Sequence, residues 1–291
     1  MMQILQKIID DVILADTHTH LNEQVFDLDR NELVERALDV GIKYIIDVGV
    51  DLQTSKKAYI YSCTNPFVYS TFGLHPEVCI KGSDMYIENE EKIFNHFETI
   101  RQWYLECIDK QKERIQMVGE TGIDAYWMEK NNVDSDEFNR SLDTQKTLFR
   151  KHIELACETS LPLTVHSRNA IDICLNELKN FGGKVVFHCL TPDIQDDKES
   201  FYRKVNMILE HGFYISINGI FTFKNAHILR NTYLEVLREK NTKKSLTLFD
   251  VYKSGFIFET DAPFLAPEGR RGERNEPQYI RLILKFLQNN Y

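Results

Sequence analysis

The sequence predicts a closed β/α barrel, and three observations carry that prediction. Eight short, apolar, β-branched runs are spread along its 291 residues. Helical patterns lie between them, and such alternation points to a parallel sheet wrapped by helices. The alternative is an open doubly wound sheet, which wants a glycine-rich phosphate loop. Neither G-x-G-x-x-G nor G-x-x-x-x-G-K-[ST] occurs.

The eight runs are 12–15, 44–48, 67–72, 115–118, 161–165, 184–187, 213–217 and 255–258. Several are continuously apolar and do not alternate, as strands buried on both faces do. After the first run, "DRNELVERALDVG" reads as a helix with Asp29 as N-cap, Glu32 three residues on and Gly41 as stop. Residues 83–114 hold a long, charged helical stretch with Trp103 and Tyr104. It is longer than a barrel crossover needs and reads as an insertion. "SRNAIDICLNELKNFGG" predicts a helix from a Ser167 cap to Gly182. "ESFYRKVNMILEHG" puts Val205, Ile208 and Leu209 on one helical face and stops at His211-Gly212. No repeat, low-complexity tract or linker divides the chain, so one barrel is expected over 1–291.

Chemistry in such a barrel gathers at the C-terminal ends of the strands. There the first run offers His18 and His20, two apart and so on one face of a strand. The third offers His75, the fourth Glu120, the fifth His166, the sixth His188 and the eighth Asp261. Singly, each has an ordinary structural explanation. Together they gather imidazoles and carboxylates at one rim, which packing alone rarely does. His96, His152, His211 and His227 fall on helical stretches and read as packing or surface residues.

Leaving His75 aside, four histidines and two carboxylates exceed what one tetrahedral zinc takes. They suit two divalent ions about 3.5–4 Å apart with a bridging carboxylate. The expected division gives His18, His20 and Asp261 to one ion, and His166 and His188 to the other, with Glu120 between. Asp261 is also placed to take a proton from water. Zinc, magnesium and manganese all remain open.

In order along the chain, "DTHTHLN", "GLHPE", "VGETGID", "PLTVHSRNA", "GFYISINGIFTFK" and "ETDAPFLAPEGRRGERNEP" resemble the motifs of the TatD family of metal-dependent deoxyribonucleases, within the amidohydrolase superfamily. The resemblance runs from about residue 13 onward. It implies the same six ligands: His18, His20, Glu120, His166, His188 and Asp261. It also implies a place for His75 near the scissile phosphate, and a 3′-to-5′ exonuclease acting on DNA. The chain departs from the family at Glu77, where a histidine or other polar residue is common. It departs again at Leu190 and Pro192 in "FHCLTP", and at Ala125, whose wall Tyr126 or Trp127 would take over. Arg168 is a candidate phosphate contact, and Arg270, Arg271 and Arg274 are further ones, since guanidinium forks suit phosphate oxygens.

The remaining totals narrow the partners. A net charge of −9 supplies no bulk basic field, so nucleic-acid contact must be local. A pit ringed by loops admits a single-stranded end more easily than a duplex. No apolar run is long enough to span a bilayer, and the N-terminal stretch lacks a small-residue cleavage site. The six cysteines contain no C-x-x-C and read as reduced thiols. A monomer in the cytoplasm or nucleus is expected. The competing expectations are a hydrolase of another ester or amide, such as an aminoacyl ester on RNA, and a scaffold that keeps its ligands only as structure.

Overall fold

The structure, a computed structural model, describes residues 3–130 and 133–291, except the side chains of 108–110. Eight strands form one parallel sheet in sequence order. They are β1 (Ala15–Thr19), β2 (Tyr44–Asp47), β3 (Val68–Phe72), β4 (Ile115–Asp124), β5 (Leu163–Arg168), β6 (Val185–His188), β7 (Tyr214–Ile217) and β8 (Phe256–Phe258). The predicted barrel is the observed one. Its helices are α1 (Ile4–Asp10), α2 (Arg30–Asp39), α3 (Leu52–Thr64), α4 (Glu90–Gln111), α5 (Tyr126–Lys130), α6 (Ser135–Thr159), α7 (Ile171–Leu178), α8 (Lys198–Glu210), α9 (His227–Lys240), α10 (Leu248–Lys253) and α11 (Ile280–Asn290).

The first and last strands meet through the segment just past β8. There Asp261 N–H donates to the His18 carbonyl at 2.8 Å, and His20 N–H donates to the Ala262 carbonyl at 2.7 Å. The Thr17 hydroxyl donates to the Phe258 carbonyl at 2.9 Å. Asp16, fully buried, accepts from the Thr260 N–H at 2.9 Å and from its hydroxyl. Burial drives the Asp16 carboxyl well above its usual range, against those two hydrogen bonds. The seam is therefore polar and lies next to His18 and His20.

The two strands that depart most from expectation, β1 and β4, do so for one reason. β1 begins at Ala15, not at Val12, and Val12 has a left-handed φ of 54°. The apolar residues 12–14 are the approach to the barrel, and the strand itself is the polar "ADTHT". β4 runs on past Val118 to Asp124, and all ten residues are buried. In both places polar residues occupy a strand interior, where hydropathy alone does not see a strand. Gly119 makes the second case possible. Its φ is +128°, and a Cβ there would come within 2.4 Å of the Thr164 carbonyl oxygen. Only glycine lets β4 run this close to β5 beside Glu120.

Helix ends also needed partners the sequence hides. Asp29 precedes α2 but makes no side-chain cap. Its carboxylate is taken by Arg274, at 2.8 and 2.6 Å, and by Arg36 at 3.3 Å. Ser167 is a residue of β5 and caps nothing, and α7 stops at Leu178. α8 follows its prediction, with Val205, Ile208 and Leu209 buried. The 83–114 insertion is mostly α4. Its Tyr104 is buried and stacks on Phe72 of β3 at 4.2 Å, which fixes the helix against the barrel.

His96, His211 and His227 are exposed, and His152 is packed inside the helical layer. No disulfide forms among the described residues, and none of their helices is long and apolar enough to cross a membrane.

Candidate metal centre

Glu120 lies at the centre of the rim. Its Oε2 faces His18 Nε2 at 3.4 Å and His20 Nε2 at 3.9 Å. Its Oε1 faces His75 Nε2, His166 Nδ1 and His188 Nε2, each at 3.2 Å. The two oxygens thus serve two separate sets of imidazoles. Asp261 joins the first set, with Oδ1 at 3.3 Å from His20 Nε2 and 3.8 Å from His18 Nε2.

The strands dictate this arrangement. His166 and His188 are register partners on β5 and β6, so their rings project side by side, 6.0 Å apart. His18 stacks on His188 at 3.7 Å across the barrel mouth. Asp261 stands at a left-handed φ of 59°, held by its N–H bond to His18, so its carboxylate turns inward. His75 sits just after β3 and meets His166 edge-on at 4.6 Å.

Each imidazole has a second partner behind it. His20 Nδ1 lies 3.1 Å from the Val48 carbonyl, and that acceptor fixes the tautomer with Nε2 facing the centre. His166 Nε2 lies 3.0 Å from Asp124 Oδ2. His188 Nδ1 lies 3.3 Å from Glu259 Oε1. His18 Nδ1 is 3.4 Å from the Thr164 hydroxyl. Carboxylates and carbonyls placed behind imidazoles orient metal ligands and raise their basicity. Asp124 and Glu259 were missed in the sequence. A period-two step along β4 from Glu120 finds Asp124 on the same face, and Glu259 is two residues before Asp261.

The charges respond to one another. Burial alone would lower His20 and His166. Asp261 and Glu120 overcome this for His20, and Asp124 and Glu120 for His166, raising both to about 9. His188 is raised well above its usual value despite burial, by Glu259 and Glu120. His18 goes the other way, lowered by burial and by the neighbouring His188. Burial would raise Glu120, but His188, His75 and His18 hold it far below the usual carboxylate range. Asp261 is likewise lowered, against burial, by His20 and His188.

The donor set fits metal ions. His18 Nε2 is buried with no hydrogen-bond partner, an atom that costs free energy unless something occupies its lone pair or proton. The ligand atoms of His18, His20 and Glu120 lie within 4.8 Å of one another, as do those of His75, Glu120 and His166. A cavity of about 500 Å³ opens above them.

The walls decide the fate of the other predicted residues. Arg168 lines the cavity, its guanidinium 4.1 Å from the Tyr126 ring centre and 5.1 Å from that of Trp127. Trp127 supplies the wall that Ala125 cannot, and Ala125 is buried beneath, with Ile80 and Met128. Glu77 is among the residues lining the cavity, and its carboxylate accepts from the Ser83 hydroxyl at 3.3 Å. Leu190 is buried, and its carbonyl accepts from the Tyr233 hydroxyl at 3.1 Å, so the altered strand-six loop is anchored. The arginines at 270–274 are occupied elsewhere. Arg274 pairs with Asp29 and Glu276, Arg270 pairs with Glu273, and Arg271 stacks on Phe223 at 3.9 Å.

An eight-stranded β/α barrel with such a histidine–carboxylate cluster at its C-terminal rim is a metal-dependent hydrolase by class. The family model for TatD related DNases matches residues 15–290, and the chain belongs to that family. A Bacillus subtilis protein described as an uncharacterized metal-dependent hydrolase, YabD, is 31% identical over 94% of this chain and 90% of its own length. A Mycobacterium tuberculosis protein described as an uncharacterized metal-dependent hydrolase, TatD, is 28% identical over 94% and 89%. Among solved structures, the TatD homologue YJJV of Escherichia coli K12 superposes with a TM-score of 0.71 at 19% identity, covering 95% of this chain and 90% of that one. A TatD family hydrolase of Entamoeba histolytica gives 0.67 at 18%, covering 96% and 91%. These two likenesses bear on the fold alone.

Proposed function

We propose that the chain is a divalent-metal-dependent deoxyribonuclease that removes nucleotides from the 3′ end of single-stranded DNA. The observation that carries this reading is the division of the Glu120 carboxylate, one oxygen toward His18 and His20, the other toward His166 and His188. Two ions would be held by His18, His20 and Asp261 and by His166 and His188, with Glu120 shared. When bound, such ions polarise a phosphoryl oxygen and bring the pKa of water toward neutrality. Asp261, kept ionised by His20 and His188, accepts the proton of the attacking water at its carboxylate. Asp124 and Glu259 hold the His166 and His188 rings in place. Arg168, pinned by Tyr126 and Trp127, and His75 meet the substrate phosphate. The family match supports DNA as substrate, and the confined cavity supports a chain end.

A second reading is a hydrolase of another ester, such as an aminoacyl ester on RNA. The acids of the cavity wall favour it, because Glu23 and Glu77 line the same cavity as Arg168 and disfavour a polyanion. The test compares a 5′-labelled single strand, its blunt duplex and a circular single strand, each with manganese or magnesium. A ladder on the linear strand, slower loss from the duplex and an intact circle are expected. Cutting of the circle as fast as the linear strand would overturn end entry. No cleavage of any DNA, with an aminoacyl ester hydrolysed, would select the second reading.

A further inference from the structure

We propose that Cys189, His188 and Asp261 form an inhibitory site for a thiophilic divalent cation, such as cadmium, beside the hydrolytic centre. One ligand atom from each of these three residues lies within 4.8 Å of the others. Cys189 follows His188 directly, where β6 ends. Its backbone is clamped in a left-handed conformation, φ 47°, because its N–H donates to Glu259 Oε1 at 2.8 Å and to the Ser216 hydroxyl at 3.2 Å. Cys189 lines the cavity, so an ion reaches it from solvent.

The donor set differs in kind from its neighbours. The His18–His20–Glu120 and His75–Glu120–His166 groups offer only nitrogen and oxygen. The Cys189 group offers sulfur, nitrogen and oxygen. Soft ions take thiolate sulfur, while magnesium and manganese favour oxygen donors. When such an ion binds, a sulfur–metal bond forms and the thiol proton leaves to solvent, with no change of oxidation state. Occupation has a consequence for hydrolysis. It engages His188, a ligand in the proposed centre, and Asp261, the proposed proton acceptor, at the same time. A thiophilic ion therefore inhibits by drawing two side chains out of the working arrangement.

This rests on the metal-centre reading, and the experiment separates the two. Cadmium is titrated into metal-free protein while the ultraviolet thiolate-to-metal charge-transfer absorption is followed and bound metal is counted by elemental analysis. The parent is expected to gain the band, Cys189→Ser to lose it, and Cys157→Ser, altered at an exposed thiol, to keep it. Cys189→Ala serves as a second variant should the serine form fail to fold. Metal bound by the parent with no band, or an undiminished band in both Cys189 variants, overturns the proposal while the metal centre stands. No metal bound at all removes both. With manganese-supported hydrolysis as a further readout, Cys189→Ser should require at least about ten times more cadmium for half inhibition, since losing even a group that only supports a ligand costs about 10–100-fold in affinity.

Discussion

His152 and three rim histidines, His20, His166 and His188, are the same residue type, all largely shielded from solvent, and their surroundings drive them in opposite directions. His152 lies in the helical layer, packed against Phe97 at 4.6 Å. Its Nδ1 faces the Leu148 carbonyl at 2.8 Å, and its Nε2 accepts from Leu74 N–H at 3.0 Å. With no carboxylate near, burial pushes it down to about 4. His20 and His166 are raised to about 9 because carboxylates share their pocket. Burial alone therefore does not fix the direction in which a histidine is driven; facing carboxylates reverse it at His20, His166 and His188. The carboxylates favour the protonated forms of His20, His166 and His188, and a metal ion binding there competes with those protons.

The comparison is tested most severely at Glu120. Glu120→Gln should lower metal content from about two ions per chain toward one and abolish hydrolysis. Two tightly held ions in that variant, by elemental analysis, would remove Glu120 from its shared position. Next in size is Asp261→Asn, which keeps an oxygen donor but not the proton acceptor. Steady-state turnover should fall by at least the roughly 10²-fold typical of a lost general base, with substrate still bound in a filter assay.

His152 should behave as the rim's opposite. Its folded pKa lies below the unfolded value, so the unfolded chain binds more protons between about pH 4 and 6.5. Stability from this residue is present above about 6.5 and is lost as pH falls toward 4, by about 3 kcal/mol in all. Denaturant unfolding of His152→Gln across that range should show a flatter acid dependence, with metal content unchanged. An unaltered profile would mean His152 takes up its proton over the same pH range in both states.

Smaller effects are expected behind the ligands. Asp124→Asn and Glu259→Gln should weaken metal binding by about 10–100-fold, measured by competition with a chelating dye. Equal affinity would show that the rings are held by packing alone. Smallest is the contrast between arginines. Arg168→Ala should raise KM several-fold, whereas Arg274→Ala should leave KM within about twofold and cost at most about 1 kcal/mol, as half-exposed ion pairs do. The reverse order would return the 270–274 loop to the substrate.

Sequence patterning revealed the barrel through the strands whose interiors are apolar, such as β6 and β7. It faltered at β1 and β4, because His18, Asp16, Glu120 and Asp124 are polar residues inside strands. The rim residues were legible because chemistry forces their types, and the strand period forces His18 and His20 onto one face. The pairings that occupy Arg271 and Arg274 were not legible because Phe223 and Asp29 are distant in sequence and adjacent only in the fold, whereas Arg270 pairs locally with Glu273. Of the long helix α6, only a helical stretch around His152 was read and its extent was not, although its buried Leu148, Phe149 and Leu155 line one face.

The seam that joins β1 to the segment after β8 has a consequence for biosynthesis. His18 and Asp261 belong to one cluster yet stand at opposite ends of the polypeptide, linked by the Asp261 N–H bond to the His18 carbonyl. A nascent chain on the ribosome carries its first two histidines long before their carboxylate partner is translated. Those imidazoles can meet Glu120 before the midpoint of synthesis but wait for Asp261 until the chain is nearly complete. Assembly of the whole cluster is thus coupled to completion of the ring, and truncated products terminating before residue 261 lack its Asp261 member.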